Sequence, residues 1–219
     1  MIHTHTPSST PANAVILLAD RSGSMASILA NTVISLNDYV GELRDRRDLT
    51  FTMLTFDTIS VDTVHHRLPI ADVPPITTAD IFPRAGTPLI DALAVTINLA
   101  KLEYRDSDRV VIVTMTDGLE NASTEFRLTQ LQDLIKERTA AGWDFVFLGA
   151  SIDAYRDARR FGLGDGGTMS YDAAALGAGR AAYRAAARRA KAFFDTGAIE
   201  DFSPEEKQAA GDKFIPQRS

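Results

Sequence analysis

Apolar residues fall into two spacings along the chain, and their order predicts the fold. Ala14, Val15, Ile16, Leu17 and Leu18 are apolar without alternation, the pattern of a strand covered on both faces in a parallel sheet. The runs at 109–116 and 143–148 repeat it. Helical spacing lies between them. Ile28, Leu29, Val33, Leu36, Tyr39, Val40 and Leu43 predict a helix over 25–46, and Leu89, Ile90, Leu93, Val95 and Ile97 predict one opening at Pro88. Further helices are expected over 128–141, stopped by Gly142, over 151–161 and over 172–195. Two Thr/Val/Phe/Ile-rich stretches, 49–56 and 58–66, flank Asp57 and read as a hairpin. The expected architecture is α/β: a doubly wound, Rossmann-like three-layer sandwich whose mostly parallel sheet carries one antiparallel edge strand. Residues 1–12 read as a disordered tail, 13–196 as the domain, and 197–219 as a C-terminal tail. Within that tail Ser203, Pro204, Glu205 and Glu206 could cap a short helix.

Composition narrows the function classes. A chain of 219 residues with 45% hydrophobic and 24% charged residues suits one soluble domain with a sizeable core. A net charge of −6 argues against a general nucleic-acid binder. Cysteine is absent, which removes thiol nucleophiles and Cys-type zinc sites. The N-terminus lacks the basic-then-apolar order of a secretory signal and no apolar run approaches a membrane span, so a cytoplasmic location without membrane partners is expected. His3 and His5 fall in the Ser/Thr/Pro-rich start. His65 and His66 are adjacent in a strand, face opposite sides and are poorly placed to share an ion. Arg180, Arg184 and Arg188 make a basic stripe on the last long helix, read as a solvated face.

Candidate chemistry begins where the first strand ends. Asp20, Ser22 and Ser24 place one carboxylate and two hydroxyls at alternate positions around Gly23. Oxygen donors without sulfur or imidazole suit a hard cation, Mg²⁺ before Ca²⁺ or Mn²⁺. Alternatively Ser24 caps the next helix and Asp20 answers its dipole. Thr87, just before Pro88, is placed for a helix N-cap. Asp117-Gly118, after the second buried strand, reads by itself as a turn. Glu120 and Asn121 follow as solvated loop, a second shell or a recognition rim. Gly162, Gly164 and Gly167 satisfy G-x-G-x-x-G, but they follow a helix instead of a strand, so they read as a connector and not a dinucleotide site.

Taken together, DRSGS at 20–24 with Thr87 and Asp117 resembles the metal-ion-dependent adhesion site of the von Willebrand factor type A domain family, over about 12–161 and less clearly to 195. The resemblance is to single-domain intracellular members of bacterial or phage type. It implies a metal set of Asp20, Ser22, Ser24, Thr87 and Asp117. The hydroxyls would hold Mg²⁺ directly, the aspartates often through water, and a protein partner's Glu or Asp would fill an open position. Mg²⁺ held by few charges stays electrophilic and attracts an anion. Two rivals remain. One is a Mg²⁺-dependent hydrolase or phosphoryl-transfer enzyme, against which stands the lack of a nearby Lys or His, of a P-loop, and of an activating partner for the serines. The other is a metal that only organises the loops.

Overall fold

The computed structural model describes residues 11–215; the expectations for His3, His5 and most of the N-terminal tail lie outside them. The strands are β1 (Asn13–Asp20), β2 (Leu49–Phe56), β3 (Val61–Pro69), β4 (Arg109–Thr116), β5 (Asp144–Ala150) and β6 (Thr168–Tyr171). They form one sheet in the order β3-β2-β1-β4-β5-β6, parallel except for the β2–β3 pair. Helices α1 (Leu29–Leu43), α2 (Leu89–Glu103), α3 (Leu128–Ala140), α4 (Ala154–Phe161), α5 (Leu176–Thr196) and α6 (Pro204–Ala209) complete the chain. This is the expected doubly wound α/β sandwich with its antiparallel edge.

Alternation within β1 explains the two layers. Val15, Leu17 and Ala19 enter the core with α1 and α5, whereas Ala14, Ile16 and Leu18 enter the core with α2, α3 and α4. Both faces are therefore apolar, which is why the strand reads as an unbroken run. β2 and β4 flank β1 on opposite sides, so the winding reverses here. A crevice opens at the carboxyl ends of strands at such a point.

Local hydrogen bonding moves several boundaries. The helix expected from Met25 is preceded by a tight 3₁₀ turn, Gly23–Ser27, and α1 starts at Leu29. β3 starts at Val61 because Asp57 Oδ1 accepts the Ile59 and Ser60 N–H groups and closes the hairpin turn. α5 starts at Leu176 because Asp172 Oδ1 accepts the Ala174 N–H and its carbonyl accepts that of Ala175. The two histidines do diverge: His66 Nε2 lies 2.6 Å from Glu103 on the α2 side, while the His65 ring lies 6.5 Å from that of Phe51.

The basic stripe is not merely solvated. Arg180 pairs with Asp38 at 2.5 Å, Arg184 approaches Asp38 and Glu42 at 3.7 Å, and Arg188 engages Glu200 and Glu206. The domain's own carboxylates on α1 and α6 thus answer it, because α5 packs beside both helices. Beyond Gly197 the chain folds back: Phe202 and Ala210 are buried with the α1/α5 core, and Ser203 and Glu206 form the expected capping box of α6.

The glycine run is the anchor for that return. Gly162, at φ +90°, ends α4, and a Cβ on Gly166 would fall 1.8 Å from the Asp201 carboxylate. Gly164 faces open space. Neither NAD nor ATP is expected to bind in equilibrium dialysis, and Gly164→Val should leave stability unchanged. Gly167→Ala should cost about 1–3 kcal/mol through overpacking, because a Cβ there would fall 2.4 Å from the Phe145 carbonyl oxygen. Micromolar nucleotide binding that disappears in Gly164→Val would overturn this reading.

Candidate metal centre

Parallel pairing sets Ala19 opposite Met115, so the tips of β1 and β4 end side by side. Asp20, the last residue of β1, has no exposed surface. Its Oδ1 accepts the Ser22 N–H at 2.6 Å and its Oδ2 accepts the Thr116 hydroxyl at 2.6 Å. The Ser22 and Ser24 hydroxyls lie 3.1 Å apart, and Ser24 donates to Asp117 Oδ1 at 2.7 Å. Neither serine caps a helix with its side chain. Thr87 is buried; its N–H donates to Asn121 Oδ1 at 3.0 Å, and its carbonyl accepts the Asn121 N–H at 3.2 Å. Its hydroxyl does not cap α2, whose N-cap is Pro88. A Cβ on Gly118 would come 2.8 Å from Thr87 Oγ1, so the glycine after Asp117 lets these loops meet. All five candidate residues therefore reach one end of the sheet from three loops.

Electrostatics distinguish this cluster from an ordinary polar turn. Burial pushes the Asp20 carboxyl up to about 6, against the lowering by hydrogen bonds from Thr116 and Ser22. Burial also raises Asp117, although Ser24 opposes it. Neither carboxylate takes part in an ion pair among the described residues. Arg21, next in sequence to Asp20, is engaged by the β2–β3 hairpin. There it meets Asp57 at 2.7 Å, Asp62 at 2.6 Å and the Thr55 hydroxyl at 3.1 Å. One buried and one half-buried carboxylate beside neutral hydroxyls, with the neighbouring Arg21 committed elsewhere, make a donor set that suits a hard divalent cation.

Supporting residues lock the three loops together. Arg84 donates to Asp57 at 2.6 Å, and burial alone would raise Asp57, yet Arg84 and the Ile59 and Ser60 amides hold it below the usual carboxylate range. Arg84 N–H bonds the Arg21 carbonyl and Gly23 N–H bonds that of Ala85, which ties the Thr87 loop to the Asp20 loop. Glu120 is not solvated loop; it accepts the Ile90, Ala122 and Ser123 N–H groups. Asp91 accepts those of Thr124, Glu125 and Phe126. Sequence reasoning placed Glu120 and Asn121 near the site but missed Thr116, Asp57, Arg84 and Asp91. Only Asp91, an acidic residue in a helix's first turn, carried a local signal, and its partners are 32–35 positions away.

Comparison with solved structures agrees with this architecture. The vWF domain of the type V pili tip protein Mfa5 from Porphyromonas gingivalis aligns with a TM-score of 0.63 at 12% identity, over 89% of this chain and 100% of that one. The von Willebrand factor type A structure from Catenulispora acidiphila gives 0.55 at 16% identity, over 83% of this chain and 43% of that chain. The pilus adhesin SpaC from Lactobacillus rhamnosus GG gives 0.62 at 12% identity over 84% of this chain, which spans only 30% of SpaC. The fold is thus of the von Willebrand factor type A kind. No family model and no curated protein sequence matches the chain.

Proposed function

We propose that this protein is a metal-dependent interaction module that captures a carboxylate of a protein partner. The observation that carries the reading is Asp20, a fully buried carboxylate without an ion-pair partner among the described residues, joined through Ser22 and Ser24 to Asp117 at the sheet's switch point. Ser22, Ser24 and Thr87 would supply neutral hydroxyl oxygens, and Asp20 and Asp117 the only charges. Mg²⁺ bound there would supply a centre that attracts one further anionic oxygen. Ser24 is exposed and Asp117 half-buried, so the cluster opens towards a partner on that side. The named neighbours include a pilus adhesin and a pilus tip protein, which is consistent with an interaction role.

Thr87→Ala separates holding a metal from using it. The variant is expected to keep much of the Mg²⁺ affinity, because Ser22, Ser24 and Asp20 share one loop. It should weaken the complex with a partner recovered in Mg²⁺ and released by EDTA, by about 1–3 kcal/mol for one charge-assisted contact. Stability should fall by about 1 kcal/mol, the cost of deleting a buried methyl group, since the hydroxyl caps nothing. Calorimetry with Mg²⁺, thermal unfolding and partner titration on the same variant decide. Undiminished partner affinity would remove carboxylate capture through the metal, and EDTA-sensitive turnover of a phosphoester would replace it with the hydrolase reading.

A further inference from the structure

Thr116 ends β4 with no exposed surface, directly before Asp117. Valine has the same branched shape and suits a strand equally well, so packing alone does not call for a hydroxyl at this buried position. The hydroxyl has three polar neighbours. Asp20 Oδ2 lies 2.6 Å away and the Gly118 carbonyl 2.9 Å away, and the Gly118 N–H donates to it at 3.0 Å. A hydroxyl carries one proton, so the two acceptors compete for it. The carboxylate, nearer and charged, is the stronger acceptor.

Pairing in the sheet and the glycine after Asp117 give this hydroxyl its reach. Ala19 lies opposite Met115, so Asp20 and Thr116 follow as neighbours at the tips of β1 and β4 and present their side chains on one face. With Oδ1 held by the Ser22 N–H and Oδ2 by Thr116, the Asp20 carboxylate is fixed from two sides and keeps a lone pair on each oxygen for a further partner. Gly118 carries the contact onward. A Cβ on it would fall 2.8 Å from Thr87 Oγ1 and 3.6 Å from Thr87 Cβ, so its backbone rests on the Thr87 side chain. Thr87 is joined in turn to Asn121 by a pair of hydrogen bonds. One buried hydroxyl thus touches Asp20 and both polar groups of the glycine that seats Thr87.

We propose that Thr116 is a positioning residue of the candidate metal centre: its hydroxyl aims the Asp20 carboxylate and, through Gly118, couples Asp20 to the placement of Thr87. This rests on the metal-dependent reading and adds how the two sides of the site are made to act together. Asp20 Oδ2 becomes a poorer acceptor once its charge is shared with a cation, and the Thr116 proton then has the Gly118 carbonyl within reach. Gly118 passes that change to Thr87, which comes from a different loop and has no other contact with the Asp20 side.

Calorimetry and amide NMR, with Mg²⁺ alone as the probe, test this. Thr116→Val keeps the shape and removes the hydroxyl, and it should weaken Mg²⁺ binding by about 10–100-fold, the usual cost of losing a hydrogen-bond partner of a ligating group. Thr116→Ser and Thr116→Ala both lose the methyl and differ in the hydroxyl, so the serine variant should bind Mg²⁺ about tenfold more tightly than the alanine variant. In the parent, Mg²⁺ should shift the Ser22, Gly118, Thr87 and Asn121 amide signals with one midpoint. In Thr116→Val at saturating Mg²⁺, Ser22 should still move while Thr87 and Asn121 stay where they were. A hydroxyl that served stability alone would lower the unfolding temperature and leave these shifts as in the parent. Equal Mg²⁺ affinity in the parent and Thr116→Val, or Thr87 and Asn121 signals that move as before, would overturn the proposal and leave the metal centre intact. Equal losses in Thr116→Ser and Thr116→Ala would assign the effect to packing and overturn it as well. A parent that gives neither heat nor shift with Mg²⁺ would remove the metal reading itself, and the proposal with it.

Discussion

Asp20→Asn is expected to abolish Mg²⁺ binding and at the same time to make the metal-free protein more stable at pH 7.5. The carboxyl is pushed by burial from 3.8 to about 6. A shift of about two units corresponds to roughly 3 kcal/mol against the ionised folded state. Asparagine removes the charge and can keep the network, accepting the Ser22 N–H while Thr116 turns its proton to the Gly118 carbonyl, already 2.9 Å away. A net gain of about 2 kcal/mol is therefore expected. Its pH dependence has a definite sign. With the folded value raised above the unfolded one, wild-type stability from this group is fully present below about pH 4 and is lost as pH rises through 6. Parent and variant in EDTA should thus unfold alike near pH 4 and diverge by pH 7.5. Proton and metal compete for the same oxygens, so wild-type Mg²⁺ affinity should fall as pH drops below 6. Equal Mg²⁺ affinity in Asp20→Asn by calorimetry would contradict the metal centre itself.

Arg189→Ala is expected to cost about 3–5 kcal/mol, as breaking a buried ion pair commonly does. Arg189 and Asp144 side chains are each 3% exposed, and the pair is bidentate at 2.7 and 3.0 Å. The same guanidinium donates to the Gly166 and Glu200 carbonyls and lies 5.5 Å from the Phe202 ring centre. It therefore joins β5, the glycine run and the returning C-terminal segment. Its loss leaves Asp144 buried without its partner and releases Phe202. Denaturant unfolding should show a lower midpoint with an unchanged slope, and limited proteolysis should cut near 197–203 first. A change below about 1 kcal/mol would mean that the segment beyond Gly197 adds little to the domain.

What the sequence alone determined is what depends on neighbours in the chain. Unbroken apolar runs declared β1, β4 and β5, because a strand covered on both faces has no polar side to show. Helical spacing declared α1, α2 and α3. The oxygen triplet Asp20, Ser22 and Ser24 was legible because a single turn after a strand carries all of it, and resemblance to a known motif nominated Thr87 and Asp117 from afar. Tertiary structure decided the rest. Thr116 and Asp20 are 96 positions apart and meet only because β1 and β4 pair in parallel. Arg21 follows Asp20 directly in the chain, yet its guanidinium pairs with Asp57, which only the folded hairpin turn brings to it. Glu120 read as solvated loop, second shell or recognition rim and Asp91 had no assigned role until loop and helix N-terminus came together and presented unbonded N–H groups. Val95 was assigned to the inner face of α2, but residues 88–103 are apolar nearly all round, and only packing against the sheet decided which side faced in. Periodicity records that a helix has an apolar face; where two faces qualify, the contacts made by distant segments choose between them.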